Sequence, residues 1–222
     1  MHIFDILGPI MIGPSSSHTA GVVRIGNVAR RILGGTPSHA LIQFHGSLAK
    51  TYWGHGSDKA IVAGLMGYLP DDMRIRDSLK LAKQNEFSYD IETVEFADGH
   101  PNTVILHLSC KESTNAFTLQ AASVGGGNIL VQKLNDIDVF FTGYYDTLII
   151  SHQDMPGAVS LVANVLAVEK INIAEMKLYR SKKGGTAIMV IEVDGHMEKR
   201  VVSALSSLPL IEKVTLLSGM SS

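Results

Sequence analysis

Apolar and polar positions change rhythm along the chain, and each rhythm marks an element. Val22, Ile25, Val28, Ala29, Ile32 and Leu33 recur at helical spacing, and Gly34-Gly35 ends the run, predicting an amphipathic helix with a glycine stop. A second helix is predicted over about 58–67, with Ile61, Val62, Leu65 and Met66 on its apolar side, and a third over about 78–84. Strands are expected at 40–45, 90–96, 103–109, 117–123 and 128–134, with turns at Asp98-Gly99 and in the polar run 111–115.

Beyond residue 146 the pattern is more regular. An apolar strand at 147–152 is followed by the turn Gln153-Asp154-Met155-Pro156-Gly157, and Val159, Val162, Val165 and Leu166 then keep helical spacing. Strand-like runs at 171–180 and 186–193 flank Lys182-Lys183-Gly184-Gly185, a helix covers about 198–208, and residues 211–217 form a last strand. The order βαββαβ is ferredoxin-like. The fold class is therefore α+β in two domains, a mixed one over 1–145 and a ferredoxin-like one over 146–222, with the boundary within 135–146.

Composition narrows the function classes. Of 222 residues 45% are apolar and 18% charged, and a formal charge of −2 argues against nucleic acid or an anionic membrane as partner. No apolar run is long enough to span a bilayer, and Met1-His2-Ile3-Phe4-Asp5 is no signal peptide, so a cytoplasmic location is expected. Cys110 is the sole cysteine, which excludes an intrachain disulfide and the thiolate set of an iron–sulfur cluster. Any such cluster would belong to another chain.

Four constellations could carry chemistry. In Gly13-Pro14-Ser15-Ser16-Ser17-His18-Thr19-Ala20-Gly21, hydroxyls crowd the start of the first helix, where free N–H groups and the helix dipole favour an anion such as a carboxylate or phosphate. An N-cap serine alone would need fewer donors. In Gly54-His55-Gly56-Ser57-Asp58, two glycines strip bulk from around an imidazole suited to proton transfer; a loop histidine beside a Ser57 or Asp58 N-cap is the plain alternative. Asp98-Gly99-His100-Pro101-Asn102-Thr103 brings a histidine and an amide into what is otherwise an ordinary turn. Ser123-Val124-Gly125-Gly126-Gly127-Asn128 suggests close backbone approach or a hairpin. No helical His-x-x-x-His pair or Cys/His cluster marks a metal site, and His2, His39, His45, His107, His152 and His196 are read as structural or solvated. Neither the P-loop spacing nor Gly-x-Ser-x-Gly is present, which ranks a Ser-His hydrolase last.

The run from Gly8 to Gly26 resembles the opening of the β chain of two-subunit, iron–sulfur-dependent bacterial L-serine dehydratases. The resemblance continues through Gly46-Ser47-Leu48-Ala49-Lys50-Thr51, the Gly-His-Gly-Ser-Asp run, Asp71-Asp72, the His-Pro-Asn turn and the triple glycine. One departure is Ser57, where a threonine is expected; the hydroxyl is kept. The second half resembles an ACT domain through Asp154-Met155-Pro156-Gly157-Ala158 and Ile171-Asn172-Ile173-Ala174.

This resemblance implies a first domain similar to the allosteric substrate-binding domain of some phosphoglycerate dehydrogenases. It implies a subunit, inactive alone, that converts L-serine to pyruvate and ammonia with an α chain holding a 4Fe-4S cluster. It places catalytic groups at His55, His100 and His18, substrate-binding groups at Ser16, Ser17, Thr19, Ser57, Asn102 and Ser123, and no metal ligand on this chain. For the proton at Cα, His55 is the first choice and His100 the second. Homodimerisation through the ACT half, with an amino-acid effector near Gly157 and Asn172, is also implied. The alternative of a different class is a stand-alone amino-acid-sensing module without catalysis.

Overall fold

The computed structural model describes residues 10–110 and 113–219. His2, the start of the Gly8–Gly26 run and Lys111 of the polar turn lie outside the described residues. The chain divides into two compact units, 1–135 and 136–222.

In the first unit a π-helical turn (Ser16–Ala20) runs straight into α1 (Gly21–Leu33). Gly34, at φ 102°, ends α1 in the left-handed conformation that glycine adopts without penalty. There follow β1 (His39–His45), α2 (Gly46–His55), α3 (Ser57–Leu65), a 3₁₀ turn (Met73–Asp77), α4 (Ser78–Gln84), β2 (Ser88–Val94), β3 (Thr103–Cys110), β4 (Ser113–Gly125) and β5 (Asn128–Leu134). Strand order within the unit is β2-β1-β3-β4-β5, with β1 and β2 parallel and the other pairs antiparallel. Ile42, Leu106 and Leu119 share one register row and are fully buried, as the alternation of a half-covered sheet requires. They form a core with Val22, Ile25 and Ala29 of α1 and Ile61 and Leu65 of α3.

Helices α1 and α3 touch backbone to backbone. A Cβ on Gly64 would stand 2.2 Å from the Val23 carbonyl oxygen, and one on Gly26 would stand 2.7 Å from that of Ile61. Only glycines permit this approach.

In the second unit β6 (Ile137–Phe141) precedes β7 (Asp146–Gln153), α5 (Ala158–Val168), β8 (Ile173–Arg180), β9 (Thr186–Val193), α6 (Lys199–Ser206) and β10 (Ile211–Leu217). The antiparallel order β10-β7-β9-β8 is the ferredoxin-like arrangement expected from the sequence. Leu148, Ile150, Met189 and Ile191 bury one sheet face under Val162 and Leu166 of α5 and Val201 and Leu205 of α6. Asp146, only 5% exposed, accepts the Met197 N–H at 2.8 Å and the Gly219 N–H at 2.6 Å, with His196 Nδ1 at 3.2 Å.

Two elements were not expected from the sequence. Residues 46–55, for which no helix was expected, form α2, whose first N–H groups are met from outside: Pro101 O accepts from Ser47 N at 2.7 Å and Leu48 N at 3.4 Å. The stretch read as a connection also holds β6, whose Phe140 N–H donates to Tyr179 Oη at 3.1 Å. Among the described residues no helix is long and apolar enough to cross a membrane.

Candidate functional site

The serine-rich run begins with a cap and continues as a widened turn. Ser15 lies in extended conformation and its Oγ accepts the His18 N–H at 3.2 Å, while its carbonyl accepts the Thr19 N–H at 2.9 Å. The next five residues are π-helical, a local form concentrated at functional sites. Ser57, fully buried at the start of α3, donates its hydroxyl to the His18 carbonyl at 2.8 Å and braces the turn. The sequence allowed Ser57 or Asp58 as N-cap of that helix, but Gly56 occupies the cap, so the Ser57 hydroxyl is committed to His18 instead.

Both ring nitrogens of His18 are engaged, Nδ1 with Ser15 Oγ at 3.2 Å and Nε2 with Ser47 Oγ at 3.3 Å. Ser15 Oγ, which accepts the His18 backbone N–H, keeps its own proton and a second lone pair, so the two serine hydroxyls can serve either neutral tautomer of the ring. Burial, and next the neighbouring His55, lower the His18 pKa from its ordinary value, so the ring stays neutral. The His18 and His55 rings meet edge to face with centroids 4.8 Å apart. His55 ends α2, is exposed, and has no hydrogen-bond partner for its ring among the described residues.

The third and fourth constellations close on the same place. His100 Nδ1 accepts the Asn102 N–H at 3.1 Å, and Pro101 docks on the start of α2, where Gly46 leaves room for it. Ser123 N donates to Asn102 O at 3.0 Å, and the Asn102 side-chain amide reaches Ser123 O at 3.5 Å. The triple glycine takes three successive positive φ angles (100°, 60° and 78°), and Arg24 of α1 donates to Gly127 O at 2.6 Å. Asn102 Oδ1, Ser123 Oγ and Thr19 Oγ1 are buried without a partner, a costly condition in a finished core and a common one where a ligand binds.

His18, His55, Ser57, Asn102, Ser123 and Thr19 thus gather around the π-turn, with Ser16 and Ser17 half-buried within it. His100 is one turn removed, tied to the cluster through Pro101 and Ser47. Gly157 and Asn172 are not brought together within the chain. They stand at opposite ends of α5, whose 11 residues span about 16 Å. Asn172 donates to Asp194 Oδ2 at 2.6 Å, and Asp154 of the Gly157 turn is held by Arg180 at 3.2 Å and the Gly184 N–H at 3.0 Å.

A cleft of about 440 Å³ opens beside His55, lined by Thr19, Trp53, His55, Lys59, Ile75 and Arg76 among others. Lys59 and Arg76 escape a reading of motifs because they come from separate helical segments and meet only in the fold. Cys110 ends β3, about 23 Å along the strand from Thr103 beside the His100 turn. The residues of this site therefore do not fit an iron–sulfur cluster, which needs several thiolates in one place.

Residues 2–134 match the family described as serine dehydratase beta chain, and residues 148–213 match the AHAS small subunit-like ACT domain. The probable L-serine dehydratase beta chain of Bacillus subtilis is 39% identical over 213 residues, covering 96% of each chain. The chain belongs to the serine dehydratase β-chain family. The L-serine dehydratase beta chain of Peptoniphilus asaccharolyticus is 36% identical over 203 residues, covering 91% of each chain. D-3-phosphoglycerate dehydrogenase of Bacillus subtilis is 27% identical over 197 residues, which span 87% of this chain and 37% of that protein, in keeping with the expected likeness of fold.

Proposed function

We propose that this chain is the β subunit of a two-chain L-serine dehydratase that converts L-serine to pyruvate and ammonia. The observation that carries the reading is the division of labour between two imidazoles 4.8 Å apart. His18 is held at both nitrogens and kept neutral, while His55 faces the cleft with its ring free.

In this reading His55 removes the Cα proton of L-serine, the β-hydroxyl departs as water, and the enamine tautomerises and hydrolyses to pyruvate and ammonia. Deprotonated His55 has a neutral ring as neighbour, so taking up the proton meets no second charge. Asn102 and Ser123, whose buried oxygens are unpaired, are the candidate substrate-binding groups behind the pair, and His100 Nδ1 accepts the Asn102 backbone N–H. The 4Fe-4S cluster belongs to the α partner, and departure of the hydroxyl is left to that chain. The β chain alone is inactive. The ACT-type half pairs with a second copy and takes an amino-acid effector near Gly157 and Asn172, which places those two residues on different chains of the pair.

The test is anaerobic reconstitution with the α-type chain and an assay for pyruvate. The wild-type complex turns over, and His55→Ala loses about 10²- to 10⁴-fold in kcat. Full turnover by that variant removes His55 as the base.

A further inference from the structure

Lys59 and Arg76 approach the cleft from α3 and from the 3₁₀ turn, and among the described residues no carboxylate lines it. Neither cation forms an ion pair among the described residues; Asp58, beside Lys59, spends its Oδ1 on the Lys59 backbone N–H at 2.8 Å and does not face the cleft. Thr19 provides an independent sign of a ligand. It is 2% exposed, lines the cleft, and its Oγ1 has no partner. Glycine at position 13 is what makes room for that hydroxyl, since a Cβ there would stand 2.4 Å from Oγ1.

Two cations without an ion pair, of which Lys59 feels only the neighbouring Asp58, one unpaired hydroxyl and a small volume suit a carboxylate of a small molecule. The P-loop spacing is absent from the sequence, and Trp53 and Ile75 add apolar surface to the lining. We infer that Lys59, Arg76 and Thr19 form the carboxylate pocket for the α-amino-acid substrate, rather than the Ser16-Ser17 face of the turn. The inference rests on the dehydratase reading and makes it more specific. A carboxylate seated there places Cα next to His55 in the same cleft, so one wall orients the substrate and the next takes its proton.

Trp53 is the sole tryptophan of the chain and lines this cleft, so its fluorescence reports occupancy in the full chain without turnover. L-Serine gives a saturable change in the wild type, and L-serinamide, which lacks the carboxylate, gives none. Arg76→Met and Lys59→Met each weaken the response about 10- to 100-fold, as loss of a charge-assisted contact implies, and Thr19→Val weakens it about 2- to 10-fold. In the reconstituted complex the same variants raise KM by similar factors and keep kcat, because the carboxylate is held equally in ground and transition states.

An active complex whose KM ignores both charge changes overturns the pocket and leaves the dehydratase reading standing. An inactive wild-type complex, with serine-selective fluorescence intact, removes the reaction and keeps the pocket. An equal response to inorganic phosphate overturns carboxylate selectivity. Weakened subunit association at unchanged KM assigns the cations to an acidic side chain of the partner and overturns the inference as well.

Discussion

Replacing Gly64 by alanine tests whether the α1–α3 contact sets the geometry of the two histidines. The new Cβ would lie 2.2 Å from the Val23 carbonyl oxygen, where ordinary contacts between heavy atoms begin near 3.5 Å, so the two helices must part by about 1 Å. The nearest atoms, of Val23 and Gly26, are all backbone, and no rotamer change relieves them. Overpacking of this kind costs about 3 kcal/mol, the upper end of its usual range, and the better helix propensity of alanine returns about 1 kcal/mol. A net loss of about 2 kcal/mol lowers Tm by about 4–8 °C. Gly54 is the control, because nothing lies within 4 Å of a Cβ placed there, so Gly54→Ala leaves Tm unchanged or slightly raised. The second readout is turnover. His18 sits on the turn that leads into α1, and His55 stands two residues before α3, so parting these helices separates the rings. A misplacement of about 1 Å is worth about 10²-fold in rate, well beyond the loss of folded protein. Melting curves of the full chain and kcat of the reconstituted complex at a temperature where both variants are folded supply the two numbers. If Gly64→Ala melts within 1 °C of the wild type, or gains stability like Gly54→Ala, the backbone contact is not tight and the argument is wrong.

The other expectations concern charge. The His18 pKa lies below the unfolded value of 6.5, so between the two values the unfolded chain binds more protons, stability rises with pH through that window, and above 6.5 the contribution is level. Its ring resonances in NMR should titrate below 6.5, and His55→Ala should move the midpoint up without reaching 6.5, since burial is the larger cause; a midpoint at or above 6.5 in the wild type contradicts this. Asp146→Ala strands the Met197 and Gly219 N–H groups and should cost about 2–5 kcal/mol, seen as lost amide protection in β7 and β10; retained protection would mean water replaces the carboxylate at no loss.

Where local pattern and packing agree, the elements were legible. α4, β5, β9 and β10 have the bounds that their apolar spacing predicts, and α1 ends at the glycine that marks it. α2 was not legible, because Leu48 is its sole fully buried residue and its N-terminus is satisfied by Pro101 from a distant turn. Its two flanking glycines read as loop signals, yet Gly46 serves the close approach of Pro101 and Gly56 the left-handed corner between two helices. β2 begins two residues earlier than expected, at Ser88, because its start is set by pairing with His39 rather than by its own alternation. At the site, the motifs pointed to His18, His55, Asn102 and Ser123, since each stands in an unusual run. Lys59 and Arg76 carry no such mark. An isolated cation on a helix and another in a turn look like solvated surface until the fold sets them across one cleft.

The Asp146 carboxylate joins the first residue of β7 to the Gly219 amide 73 positions later. β7 is also central in its sheet and pairs with β10, the last strand of the unit. Closing so long a loop must wait for its far end, whereas strands β1 to β5 of the first unit have all been made by residue 134. During synthesis the unit that carries the histidines can therefore reach its native form on the ribosome. In the ACT-type unit the buried Asp146 carboxylate lacks its second amide partner until residue 219 has been made, so that unit assembles after the first.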